Sequence, residues 1–119
     1  MLYAFLIYGR EDEWRAMDGA RRRRQMDAHV NAARIAHADG VLLAGVRLRP
    51  TTYVTTVRAS ADGIAVTDGP FAETKEQFGG FQLIDCATLD DAIRYASNLI
   101  ECSGTVEIRP LHPSASSID

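Results

Sequence analysis

The residues that most constrain the fold are Leu2–Tyr8, a run that is apolar or aromatic at every position and ends at Gly9. A strand with one face in water shows an alternation of apolar and polar residues, and this run shows none. It therefore predicts a short strand that is buried on both faces. Any fold of this chain has to supply a covering layer on each side of that strand.

A helical region is predicted next, from residue 11 to residue 39, with a break near Gly19. Gly40 follows it in the position where a helix C-cap is expected. Helical spacing predicts that the buried stripe of this region consists of Met26, Val30, Ala33 and His37.

The remainder of the chain carries further strand and helix signals. A turn at Ala61-Asp62-Gly63 predicts a β-hairpin between its flanking segments. Thr88 is a good N-cap residue for a second helix. The predicted elements are strands 41–48, 52–58 and 64–67, a loop at 68–80, a strand at 81–85, a helix at 89–101 and a strand at 105–109.

Without the hairpin, this order is βαββαβ, which indicates an α+β, ferredoxin-like fold with an antiparallel sheet and an inserted hairpin. Both helices should cover one face of the sheet. A single domain has no spare element for the other face, whereas a second subunit could pack sheet against sheet across a two-fold axis. The sequence therefore predicts a homodimer.

Composition narrows the class of protein. The chain of 119 residues fits one domain, expected at 1–112, with a mobile Pro- and Ser-containing tail at 113–119. A net charge of −3 argues against a nucleic-acid partner, and no apolar run approaches the roughly 18 residues of a membrane span. Without a secretory signal or a CxxC pair, the expected location is a reducing cytoplasm.

The most distinctive motif is Asp68–Phe81, with the sequence DGPFAETKEQFGGF. It resembles the signature of the DGPF-motif branch of the YCII-related family. The end of the first strand at Tyr8-Gly9 and the closing segment Val106–Pro110 also fit that pattern. The resemblance implies a dimeric α/β barrel. It also implies small-molecule enzymes in some members, with a His–Asp dyad in the YciI-type branch, and an association with extracytoplasmic-function sigma factors in others.

His29 is the candidate histidine of such a dyad. In the YciI-type branch the histidine lies in the first helix, ahead of a Leu-Leu-x-Ala-Gly strand, and His29 precedes Leu42–Gly45 in a similar way. An imidazole with a pKa of about 6.5 can act as a general base when a carboxylate orients it. The alternative is a partly buried histidine that is bonded to a backbone carbonyl.

Asp68 is the candidate carboxylate partner of His29. Gly69 permits a positive φ and Pro70 fixes φ, so the loop is expected to be rigid. It could be a simple connection or the wall of a cleft. The candidate ligand-binding residues in this loop are Gly69, Pro70, Phe71, Glu73, Lys75 and Glu76. The charged members could equally form a solvated turn.

No Cys, His or carboxylate spacing matches a metal site, and no glycine-rich phosphate loop is present, so no metal or cofactor is expected. The first hypothesis is a cofactor-independent small-molecule enzyme or binder, with His29 as the proton-transfer group. The alternative is a non-catalytic regulatory or interaction module, linked to an extracytoplasmic-function sigma factor, that uses the outer surface of the dimer or the hairpin at 52–67. A third is a member that keeps the fold without the chemistry.

Overall fold

Six strands and three α-helices make up the computed structural model of the chain, which describes residues 1–101 and 104–113. Cys102 and most of the predicted tail, residues 114–119, lie outside the described residues. The elements are β1 (Leu2–Gly9), α1 (Glu11–Ala16), α2 (Gly19–Ala38), β2 (Leu42–Arg47), a 3-10 turn (Thr51–Tyr53), β3 (Thr55–Ser60), β4 (Gly63–Asp68), β5 (Gln77–Asp85), α3 (Leu89–Ser97) and β6 (Thr105–Pro110).

The main sheet has four strands in the order β2-β5-β1-β6, and each neighbouring pair is antiparallel. β3 and β4 form a separate two-stranded hairpin. When the hairpin is set aside, this is the strand order of a ferredoxin-like βαββαβ fold. The predicted α+β class, the antiparallel sheet and the inserted hairpin are therefore confirmed.

The pleat of β1 separates its apolar side chains onto the two faces of the sheet. Tyr3, Phe5 and Ile7 are buried on the side of the helices, in one core cluster with Ile84 of β5 and with Leu99, which follows α3. Burying one side chain of this size is worth about 1.5–3 kcal/mol. The residues of β1 between them are only partly covered, so residues 1–101 and 104–113 fully bury just one face of a strand that was predicted to be buried on both.

α2 presents a different face to the sheet from the one predicted. Ala32 and Ala36 are its buried residues, whereas Val30 is 59% exposed and His37 is exposed. Small alanine side chains allow the helix backbone to lie close to the sheet, and that packing outweighs the burial of one valine. The inward face therefore continues through His29, which the sequence had placed beside the stripe.

The ends of α2 are fixed by local hydrogen bonds. The Asp18 carboxylate accepts from the Arg21 N–H at 2.7 Å and caps the N-terminus. At the other end Gly40 has φ 73°, and the N–H groups of Gly40 and Val41 return to carbonyls of the last turn at 3.0 Å. This is a Schellman motif, so the predicted role of Gly40 at the end of the helix is confirmed.

α3 is shorter than predicted. Thr88 caps it as expected, accepting from the Asp91 N–H at 3.1 Å. The helix ends at Ser97 because the N–H groups of residues 98–100 bond three residues back, to Tyr95, Ala96 and Ser97. These bonds tighten the last turn into 3-10 geometry, which propensity alone does not reveal.

β5 is longer than predicted, so the loop before it spans only residues 69–76. Gly79 and Gly80 lie inside the strand, at a bulge in its pairing with β1. Gly80 is buried, and a Cβ at this position would lie 2.5 Å from the carbonyl oxygen of Val46 in β2. The close approach of the two strands therefore requires a residue without a side chain.

We predict that Gly80→Ala destabilises the protein by about 1–3 kcal/mol, because the added methyl group overlaps the β2 backbone. The matched control is Gly79→Ala, whose new Cβ would meet only the Ile7 carbonyl oxygen, at 3.8 Å. Urea denaturation gives both free energies of unfolding. Equal values for the two variants would contradict this account of Gly80.

Candidate functional site

A cavity of about 450 Å³ lies on the helix side of the sheet. Its walls come from α1, the N-terminal half of α2 and the adjacent ends of β1, β2 and β5. The lining side chains that matter for its chemistry are Trp14, His29, Arg47, Glu11 and Gln77. Ligand pockets in proteins commonly have volumes of about 300–1,000 Å³, so this cavity has the size of a small-molecule site.

Gly80 forms the floor of this cavity and leaves it open, because glycine has no side chain. It pairs with Arg47 of β2 on one side and with Ile7 of β1 on the other. Residues that are directly opposite in a sheet share a face, and Gly80 places no side chain between these two. The same missing side chain that lets β2 approach β5 therefore also leaves room beside Arg47.

His29 reaches the cavity from the inward face of α2 and is half-buried. Burial, with a smaller contribution from the positive charge of Arg47, lowers the pKa of His29 below its usual 6.5. Both effects disfavour the charged imidazolium. At neutral pH, His29 is consequently a neutral imidazole that can accept a proton or a hydrogen bond.

Trp14 and Arg47 form the cationic side of the cavity. The Arg47 guanidinium carbon lies 5.3 Å from the centre of the Trp14 ring, within the range of a cation–π contact. Arg22 of α2 holds the end of α1 in place, donating to the Trp14 and Arg15 carbonyl oxygens at 3.0 and 2.7 Å. Because α1 is held in this way, the Trp14 ring that Arg47 contacts has a fixed position.

Glu11 and Gln77 bind three segments of the wall together. The Glu11 carboxylate accepts from the backbone N–H and the hydroxyl of Thr51 at 2.8 and 2.7 Å. The Gln77 side chain accepts from the Glu11 N–H at 2.9 Å and donates to the Thr74 carbonyl oxygen at 2.6 Å. One charged acceptor and one amide therefore fix α1 to both the 3-10 turn and the start of β5.

Asp68 is the last residue of β4, where it pairs with Thr55 and is exposed. Gly69 follows with φ 92°, as expected from its position. Its N–H donates to the Val54 carbonyl oxygen and its carbonyl accepts from the Thr56 hydroxyl, both at 2.7 Å. Asp68 is not among the residues lining the cavity of its own subunit, so its pairing with His29 stays a prediction.

The other candidate residues of the loop also lie away from the cavity lining. Phe71 is 78% exposed, and Pro70, Glu73 and Lys75 are exposed as well. The Glu76 carboxylate accepts from the Thr105 hydroxyl at 3.0 and 3.1 Å, which joins the loop to β6. Their role in ligand binding likewise stays a prediction.

Comparison with known proteins decides the family. The family model of the YCII-related domain matches residues 1–114. The chain belongs to the YCII-related family. An uncharacterised protein of Rhizobium meliloti (strain 1021) is 44% identical over 121 residues, covering 93% of this chain and 92% of its own length.

Several site residues of this YCII-related chain could not be found from sequence motifs. Trp14 and Arg47 belong to no motif, and only the fold brings them together. Glu11 looked like an ordinary residue of a helix start, and Gln77, although it lies within the Asp68–Phe81 motif, was not among the candidate residues. A usable signal was the tryptophan, since it is the only one in the chain and lies in a short helix directly after β1.

Other reactive groups of the YCII-related chain lie outside this cavity. Cys86 is buried, and burial is the main cause that raises the pKa of its thiol, which favours an inert residue. Within residues 1–101 and 104–113, no group of three or more His, Cys, Asp or Glu is arranged to hold a metal ion. No helix in the same residues is long and apolar enough to cross a membrane.

Glu11→Ala should lower the free energy of unfolding by about 1.5–3 kcal/mol, because it removes two hydrogen bonds to a charged acceptor. Hydrogen exchange at the Thr51 amide should also become faster. Glu13→Ala is the matched control, since Glu13 lies in the same helix and only approaches Arg10 at 3.7 Å. If the Glu11 and Glu13 variants behave alike, the proposed role of Glu11 in the wall is wrong.

Proposed function

We propose that this YCII-related protein binds a small molecule in the cavity beside His29 and transfers a proton without a cofactor. The observation that carries the proposal is the half-buried His29, held on the inward face of α2 in a cavity of about 450 Å³. A titratable group with a perturbed pKa in a pocket of this size is a reasonable mark of a functional site.

The chemistry follows from the charge states of His29 and Arg47, which are neighbours in the cavity. The lowered pKa keeps His29 neutral, so its imidazole can remove a proton from a bound substrate. Arg47 stays cationic and can stabilise the negative charge that develops when the proton leaves. Proton abstraction, with isomerisation or elimination as its result, is the reaction class that this pair supports.

A His–Asp dyad at His29 also needs a carboxylate that can reach the imidazole. Glu11 lines the cavity, but both of its oxygens already accept hydrogen bonds from Thr51. Asp68 lies on the hairpin and does not line the cavity of its own subunit. We therefore propose that Asp68, with the loop residues that follow it, approaches His29 from the second subunit of a dimer.

Substitution of His29 tests the site. In a screen of small metabolites by ligand-observed NMR, His29→Gln should lose the binding or turnover of any molecule that the wild type binds or converts. His37→Gln is the matched control, because His37 is exposed on the same helix and does not line the cavity. Equal loss in both variants, or no molecule bound by the wild type, would refute the proposal.

We propose a homodimer because one face of the sheet has no covering element among the residues that the structure describes. Pairing places Leu6 of β1, Phe81 of β5 and Val46 of β2 in one row on that face, with Ala4 and Leu83 in the next. These side chains are partly or largely exposed. Sheet packing against a second copy would bury them and give β1 the second covering layer that its sequence requires.

Leu83→Lys should convert the dimer to a monomer, because a charge would then face the apolar layer of the partner sheet. Val57→Lys is the control. It places the same charge on the exposed hairpin, which should leave the dimer intact. Sedimentation velocity measures both, and a wild type that sediments as a monomer across the accessible concentrations would exclude this dimer.

A regulatory or interaction module is the second candidate function. Its supporting observation is the hairpin, on which Val57, Ile64 and Val66 share one face and are 63%, 73% and 64% exposed. An exposed apolar face on a two-stranded hairpin is suited to a protein partner. Direct titration with a purified extracytoplasmic-function sigma factor from the same genome tests it, since Val57→Lys should abolish binding and His29→Gln should not.

A further inference from the structure

We propose that the ligand of the cavity carries an anionic oxygen group, a carboxylate or a phosphate, and that Arg47 is the residue that binds it. This inference rests on the proposed function and specifies its substrate class. Three features of the cavity support this class of ligand: its balance of charges, the placement of Arg47 and the neutral state of the neighbouring His29.

The residues that line the cavity carry a net positive charge, because they include four arginines (Arg10, Arg15, Arg47 and Arg49) and three glutamates (Glu11, Glu13 and Glu101). Arg10 is paired with Asp12 at 3.0 Å and approaches Glu13 at 3.7 Å. Glu11 is occupied by Thr51. Among the residues that the structure describes, no carboxylate lies within salt-bridge distance of the three other cavity arginines, which are Arg15, Arg47 and Arg49. Glu101 is the remaining acidic side chain of the lining.

Arg47 is the arginine placed best for a ligand. It lies on the helix side of the sheet at the end of β2, next to the open floor at Gly80. Its cation–π contact with the Trp14 ring, at 5.3 Å, restrains the guanidinium, and that contact uses no N–H group, so the N–H groups remain available for hydrogen bonds to a ligand. A carboxylate or phosphate can accept two such bonds in parallel, which a neutral group does less well.

The neutral His29 beside Arg47 distinguishes the cavity from a surface that is merely basic. The Arg47 charge contributes to the lowered pKa of His29, so the two groups share one electrostatic environment. An anion bound to Arg47 would offset that charge and raise the pKa of His29. The apolar part of the ligand would lie against Ile7, Leu48 and Ile100, which also line the cavity.

The test uses benzoate and benzamide, which have nearly the same shape but differ in charge, and inorganic phosphate as a third probe. NMR of the His29 imidazole follows binding to the full chain and the pKa of His29 in each state. Benzoate or phosphate should bind with saturation and raise that pKa, whereas benzamide should bind at least tenfold more weakly. Which anion binds tighter distinguishes a carboxylate ligand from a phosphate ligand.

Variants of Arg47 supply the decisive comparison. Arg47→Gln should weaken anion binding by about tenfold to a hundredfold and raise the pKa of His29 in the free protein. Arg47→Lys keeps the charge and should retain part of the affinity, so the proposal remains testable if the glutamine variant does not fold. Arg58→Gln is the matched control, because Arg58 is exposed on the hairpin and does not line the cavity.

The outcomes separate this inference from the proposed function. Binding of benzamide as tightly as benzoate, or anion binding that survives Arg47→Gln, overturns the anionic class and leaves a small-molecule site at His29 intact. Failure of every probe and of the metabolite screen to perturb His29 overturns both. Loss of anion binding in Arg58→Gln to the same degree would show general electrostatic attraction and would also overturn the role of Arg47.

Discussion

The pairing of β1 between β5 and β6 is the interaction on which the rest of the structure depends. It places Tyr3, Phe5 and Ile7 under the helices and leaves the alternate residues of the strand on a face that the described part of the chain covers only partly. The first face supplies the core of the domain. The second gives the physical reason to propose a partner, because apolar side chains on both sides of a central strand favour two covering layers.

The cavity depends on two packing contacts, that of α2 with the sheet and that of β2 with β5. α2 contacts the sheet through Ala32 and Ala36, and this rotation of the helix directs His29 inward. β2 approaches β5 closely at Gly80, and this approach places Arg47 beside the open floor. Small residues therefore decide where the larger functional side chains lie. The half-buried imidazole and the guanidinium are held in one cavity by the packing of α2 on the sheet and by the pairing of Arg47 with Gly80.

The fold was predictable to a large extent because its elements have strong local signals. Continuous apolar runs marked the strands, and Gly40 and Thr88 marked the helix ends through cap geometry that depends only on neighbouring residues. The buried face of α2 was predicted wrongly because its inner surface is made of alanines, whose small apolar side chains give weak periodicity. The start of β5 was missed because Gly79 and Gly80 favour a loop locally, and only contact with β2 explains them.

By itself, the sequence determined the α+β class, the order of elements and the hairpin, since each of these depends on local pattern. It also singled out His29 as a candidate functional residue. The tertiary structure alone decided which residues surround that histidine. Trp14, Arg47 and Gln77 come from separate elements, and the distances between them depend on sheet pairing and helix rotation. Such distances are set by packing between remote segments, which no local pattern of residues encodes.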